Sequence, residues 1–255
     1  MPAPAKPQST SDQRTPVAQP PQTGLYFQPA ASIGQVIEAW SLVYRSYLRA
    51  GLIPANPSRL HTVAHAIQPR SVVICGRIGD LTVSTMSGYF DRPDGPGLPL
   101  DRVYPDELAD LRRDGRTLIE IGLFADRREH IERSVESLLE LMRQITYFAV
   151  GHGATDGIIS VLPHHAPFYT RLLGFEPIGE VKTYSLVKDN PVVLLRLDWY
   201  AKINAEKLPR GLRYFRDNPL PPERFATRCV LDEAVVADSP IARYLAAADA
   251  NLAIG

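Results

Sequence analysis

The chain has 255 residues, 45% of them apolar, and its lysine plus arginine balance its aspartate plus glutamate at 28 each. That composition supports one sizeable core, and zero formal charge argues against a general nucleic-acid or membrane-surface binder, which carries a basic excess. Two cysteines in no metal or redox spacing, no apolar run of roughly 18 residues and no apolar stretch behind Lys6 point to a cytoplasmic protein without a transmembrane segment or secretory signal.

Residues 1–24 are rich in Pro, Gln, Ser, Thr and Ala and predict a disordered tail, because they offer too little apolar surface to offset ordering entropy. Leu25–Phe27 predicts a first short strand. Ile33, Val36, Ile37, Trp40, Val43, Tyr44, Tyr47 and Leu48 keep helical spacing, with Ser32 and Gln35 as a capping box and Gly51 to close the end. A short helix is expected around 60–66. The strands Ser71–Ile78 and Leu81–Ser87 follow, joined by a Gly79-Asp80 hairpin turn. After the Pro/Gly-rich loop Asp91–Pro99, Pro105 opens a short helix that Gly115 ends.

Arg116–Phe124 predicts a buried strand and residues 129–150 the longest helix, with Ile131, Val135, Leu138, Leu139, Met142 and Ile145 on its core face. A strand at Gly157–Leu162, a short helix from His165 to Leu173 with Gly174 behind it, and strands at Pro177–Val187 and Val192–Leu197 complete the series. The order predicts an α/β layer around a mixed sheet, with residues 25–198 as the main domain and 199–255 as a peripheral helical or irregular extension.

Two stretches carry a resemblance. One is Thr117-Leu-Ile-Glu-Ile-Gly-Leu-Phe-Ala-Asp-Arg-Arg128; the other is Val161-Leu-Pro-His-His-Ala-Pro-Phe-Tyr-Thr-Arg-Leu-Leu-Gly-Phe-Glu-Pro-Ile178, followed by Pro191-Val-Val-Leu-Leu195. Over roughly 30–198 the chain resembles the GCN5-related N-acyltransferase fold, a central mixed, splayed sheet flanked by helices. It is most similar to N-acyl amino acid synthases with a FeeM-like catalytic core, relatives of the acyl-homoserine-lactone synthases. The resemblance implies transfer of an acyl group, in this family a long one, from a carrier thioester to a small amine or amino acid. It implies no tightly bound cofactor, the acyl-thioester being a co-substrate.

By that resemblance, Glu120 is the base toward the amine. A carboxylate within the apolar run Leu118–Gly122 is costly to bury unless it is paired or its pKa is raised, so a salt bridge to a neighbouring strand is the alternative. Tyr169 matches the tyrosine that protonates the departing thiolate, although Phe168, Leu172 and Phe175 around it also suit plain packing. His165 fits a His-x-x-Phe-Tyr pattern and would orient the substrate or act as base. Phe124, Ala125, Asp126, Arg127, Arg128 and Arg133 would border the pantetheine arm and its carrier.

Two departures from the family matter. Leu123 stands where an arginine is found three residues after the glutamate, and Ala125 to Glu132 lacks the glycines that cradle a coenzyme A pyrophosphate. The missing glycines favour an acyl carrier protein as donor, with coenzyme A as the alternative. Arg112, Arg113, Arg116, Arg127, Arg128 and Arg133 would form a docking patch for an acidic carrier, or else a solvated mixed surface with the interleaved acids. His61 and His65 have metal-ligand spacing, but no third ligand is evident and no metal is expected. The alternative from another class is a non-catalytic module that binds acyl-carrier proteins or acylated metabolites.

Overall fold

The computed structural model describes residues 24–127, 135–203 and 205–252. Strand β1 (Leu25–Pro29) leads into helix α1 (Ile33–Arg49), where Ser32 caps the Gln35 amide at 3.3 Å. Gly51, at φ 74°, closes α1 in a Schellman pattern: its N–H bonds Leu48 O and the Leu52 N–H bonds Tyr47 O. The hairpin β2 (Ser71–Ile78) and β3 (Leu81–Phe90) forms as expected, with β3 three residues longer at its end. Helix α2 (Pro105–Arg113) has proline in its first turn and is followed by Gly115 at φ 71°.

Next come β4 (Leu118–Asp126), α3 (Val135–Gly151), β5 (Asp156–Val161) and α4 (Ala166–Leu173), the last stopped by Gly174 at φ 76°. The expected start of α3 at 129–134 lies outside the described residues, as do residues 1–23 of the tail expected over 1–24.

Two of the expected elements need correction. The 60–66 segment is extended, with a single 3-10 turn at Ala64–Ala66. Its backbone is engaged elsewhere: the His61 N–H bonds Trp40 O of α1, and Leu60 O accepts the Asn56 side chain. The strand expected over 177–187 is two short pieces, β6 (Glu176–Pro177) and β7 (Lys182–Tyr184), each paired with β8 (Asn190–Asp198). Between them Tyr104 inserts: its hydroxyl lies 2.9 Å from Glu180 O and 2.8 Å from Val192 O, and its ring occupies the space a Cβ on Gly179 would need.

The sheet runs β1-β2-β3-β4-β5-β8-β6, with β7 also on β8. It is antiparallel except for β4 and β5, which are parallel and share only three residue pairs, ending at Glu120 opposite Ile158. Asp156, fully buried at the start of β5, locks this short pairing. It accepts Arg116 at 2.6 Å and Arg196 at 2.7 Å, and both arginines also reach Asp198. Burial opposes its ionisation, but hydrogen bonds from Arg116, Thr155 and Arg196 outweigh burial and hold its carboxyl below the usual range.

Past Glu120, β4 carries a bulge. Thr85 faces Ala125 and Ser87 faces Gly122, so one residue is extra, and Leu123 takes φ 53°. A left-handed leucine costs on the order of 1–2 kcal/mol, and bulges of this kind bend a strand away from its neighbour.

Apolar residues fill both faces. Trp40, Val43, Tyr89, Leu98, Tyr104, Leu118 and Leu123 pack on the α1 face, and Met86, Ile121, Met142, Ile145 and Phe148 on the α3 face. The segment after β8 forms α5 (Trp199–Ile203), α6 (Arg210–Asp217), α7 (Glu233–Val236) and α8 (Pro240–Leu252). It is not peripheral in packing. Leu212, Phe215 and Phe225 join the α3-side core, and Leu231, Val236 and Ile241 join the α1-side core.

Candidate active site

Where β4 and β5 part, a cavity of about 270 Å³ opens. Its wall draws on both core faces: Tyr47, Val63, Tyr89, Leu123 and Tyr184 from one, Met86, Ile121, Phe124, Met142 and Ile159 from the other. The cavity therefore passes through the sheet.

Glu120, 6% exposed, lines it at the position where the pairing of β4 with β5 ends. Its Oε1 accepts the Tyr89 hydroxyl at 3.1 Å and its Oε2 the Leu100 N–H at 3.2 Å. No ion pair reaches it among the described residues. Burial pushes its pKa up to about 8; the Leu100 and Tyr89 hydrogen bonds act against that, while the charges of Asp101 and Asp91 add to it. A carboxyl tuned near neutrality, with a fixed orientation and no counter-ion, can take a proton from an amine at physiological pH.

Tyr169, on α4, lines the same cavity, and burial raises its pKa to about 12, so it holds its proton. It packs edge-on against Phe168 and Phe175, so packing and a place at the cavity coexist. His165 lines the cavity from an exposed position, its ring 4.1 Å from that of His164. Phe124 lines the wall, whereas Ala125 is buried in the bulged strand and Asp126 lies opposite Ser84. Arg127 turns onto β3, its N–H bonding Val83 O at 2.7 Å and its Nε bonding Thr82 O at 2.9 Å. Arg128 and Arg133 lie outside the described residues. Arg112 and Arg116 are partly buried and ion-paired, Arg112 with Asp91 and Asp101 and Arg116 with Asp156 and Asp198.

The sequence alone did not point to Tyr47, Tyr89 or Tyr184 as wall residues, nor to His61 as one. Tyr89 sits directly across the ladder from Glu120, a relation that only the strand register reveals. His61 bonds the Tyr244 hydroxyl of α8 at 3.1 Å, and burial lowers its pKa to about 4, which keeps it neutral. His65 bonds Pro96 O instead, and no group of His, Cys, Asp and Glu suited to a metal occurs among the described residues.

Tyr89→Phe removes a donor that stabilises the Glu120 carboxylate. The Glu120 pKa should rise further, moving the ascending limb of the pH–rate profile to higher pH by about one unit. The plateau rate should change far less. An unmoved limb would disconnect the Tyr89 hydroxyl from the titrating group.

A mixed sheet flanked by helices, parted between two parallel strands over a cavity, defines a GCN5-related acyltransferase fold. The protein-family model for N-acyl amino acid synthase FeeM matches residues 38–198, and the chain belongs to that family. Among solved structures, FeeM itself, an N-acyl amino acid synthase from uncultured soil microbes, is 24% identical, with a TM-score of 0.61 over 69% of this chain and 90% of that one. BjaI, a CoA-dependent acyl-homoserine lactone synthase, is 13% identical, with a TM-score of 0.54 over 80% of this chain and 99% of its own. TofI is 17% identical, with a TM-score of 0.54 over 78% of this chain and 98% of its own. No curated protein matches the chain. No helix among the described residues is long and apolar enough to cross a membrane.

Proposed function

We propose that this acyltransferase moves an acyl group, long-chain by family, from an acyl-carrier-protein thioester to the amine of an amino acid or similar small molecule. The observation that carries the reading is the through-sheet cavity walled by a buried, hydrogen-bonded Glu120. Ladder pairing between β4 and β5 ends at Glu120, so the following β4 backbone, Gly122 to Asp126, offers an edge for the amides of a pantetheine arm. The amine nitrogen attacks the thioester carbonyl and gives its proton to Glu120. The C–S bond breaks as the amide forms, and Tyr169 supplies a proton to the departing thiolate, with His165 at the mouth to orient the acceptor. The carrier as donor is supported by the glycine-free stretch after Phe124.

Purified protein incubated with palmitoyl-carrier protein and, separately, palmitoyl-coenzyme A, each with pooled amino acids and amines, tests this by mass spectrometry. N-acyl product from the carrier alone is the expected result. Product from the coenzyme A donor alone would overturn the donor assignment, in line with the isopentyl-CoA in the BjaI structure. No product, with tight carrier binding, would leave the non-catalytic module as the better account.

A further inference from the structure

Helix α8 lies past residue 198, where the match to the family model ends, yet it reaches the site. Ile241, Tyr244 and Leu245 share one face of this helix, and Ile241 is fully buried in the α1-side core. That packing carries the Tyr244 hydroxyl to 3.1 Å from Nδ1 of His61, a wall residue of the cavity.

The bond has a direction. Burial raises the Tyr244 pKa and a hydrogen bond from the Thr62 backbone works against it, so the Thr62 N–H donates to the hydroxyl oxygen. The hydroxyl proton is left for His61 Nδ1. Burial lowers the His61 pKa to about 4, so the ring carries a single proton, and that proton sits on Nε2. Nδ1 faces Tyr244, which is not a wall residue, and Nε2 lies on the other side of the ring with no hydrogen bond among the described residues. Tyr47 stands beside it, ring centroids 5.2 Å apart, and burial raises its pKa so that its hydroxyl keeps its proton.

An N–H on a neutral ring binds lone pairs and disfavours an ammonium group. Glu120, on the same cavity, does the reverse. A molecule with its amine at Glu120 is oriented by an oxygen placed at His61, and it loses a hydrogen bond where that oxygen is missing.

We propose that His61 determines acceptor specificity by donating from Nε2 to a carboxyl or carbonyl oxygen of the amine substrate. Tyr244 positions it by fixing the tautomer, and both roles rest on the N-acyl transfer proposed above.

The test uses the full chain with palmitoyl-carrier protein and palmitoyl-coenzyme A together, so that the choice of donor does not enter. The acceptors compete in one tube: a pool of amino acids, their amides, and the amines formed by their decarboxylation, read by mass spectrometry. Product ratios cancel any general loss of activity. In the parent, amino acids should exceed their amines by about tenfold or more, the scale of one hydrogen bond to a charged group. His61→Leu should erase most of that ratio, and His61→Gln, which keeps an N–H donor, should restore it. Tyr244→Phe, which leaves the imidazole in place, should lower the ratio by about threefold or more. Should His61→Leu fail to fold, Tyr244→Phe decides on its own.

Amides used like the amino acids would assign a carbonyl oxygen, and amides used like the amines a carboxylate; either supports the contact. A parent that takes amines as readily as amino acids, or a ratio left unmoved by either folded variant, would overturn it and leave N-acyl transfer standing. No N-acyl product from any acceptor would overturn both.

Discussion

Glu120→Gln should lower turnover by roughly a hundredfold or more while the fold persists, as loss of a positioned general base does. The amide keeps an oxygen for the Leu100 N–H and a polar partner for the Tyr89 hydroxyl, so the geometry around it survives. In the parent protein, kcat/KM should climb as pH rises toward about 8, because only the ionised carboxylate takes a proton. Unchanged turnover in the purified variant would remove Glu120 from the chemistry.

The same substitution should act on stability in the opposite direction. The folded pKa of Glu120 stands above its ordinary value of 4.5, so the folded state binds this proton more tightly than the unfolded chain. Its favourable contribution is complete below pH 4.5 and disappears as pH rises to about 8. Glutamine never ionises. The variant should therefore melt several degrees above the parent at pH 9 and show no such gain at pH 4, a contrast that thermal melts at both pH values would read directly.

Asp156→Ala should destabilise the protein by about 3 kcal/mol, a fall in Tm of roughly 6–12 °C for a chain of this size. Asp156 is fully buried, and its removal leaves Arg116 and Arg196 facing each other with Asp198 as their remaining shared acid. The partial exposure of both arginines sets the estimate at the lower end for a buried pair. Because Asp156 pins the short parallel contact of β4 with β5, activity should fall in the folded variant as well. A Tm within 2 °C of the parent would show that the pairing holds without this clamp.

The sequence made some of this legible and hid the rest for identifiable reasons. Ser32, Pro105 and Gly174 are local signals, and each acts where expected, because a cap or a helix stop depends on its near neighbours. Glu120 was visible because a carboxylate breaks an otherwise apolar strand. Tyr89 was not, because its relevance comes from register with a strand 31 residues away. The break between β6 and β7 has no local signal because its cause, Tyr104, reaches Glu180 from 76 positions upstream. His61 read as half of a metal-spaced pair. Its partner is a tyrosine 183 residues further on, in the segment expected to be a peripheral extension.

For the proposed transfer of a long acyl chain, the opening between β4 and β5 also bears on how the product leaves. Its rim is strand on both sides and the cavity continues on each face, so an amide with its tail on one face and its head on the other is threaded like a cord through an eyelet. Departure then requires one end to be drawn back across the sheet, and each added methylene on the tail increases the apolar contact that must be broken, by about 0.8 kcal/mol. Bond making and product exit are thereby coupled to chain length in opposite senses: the contacts that hold a long donor in register also delay its release.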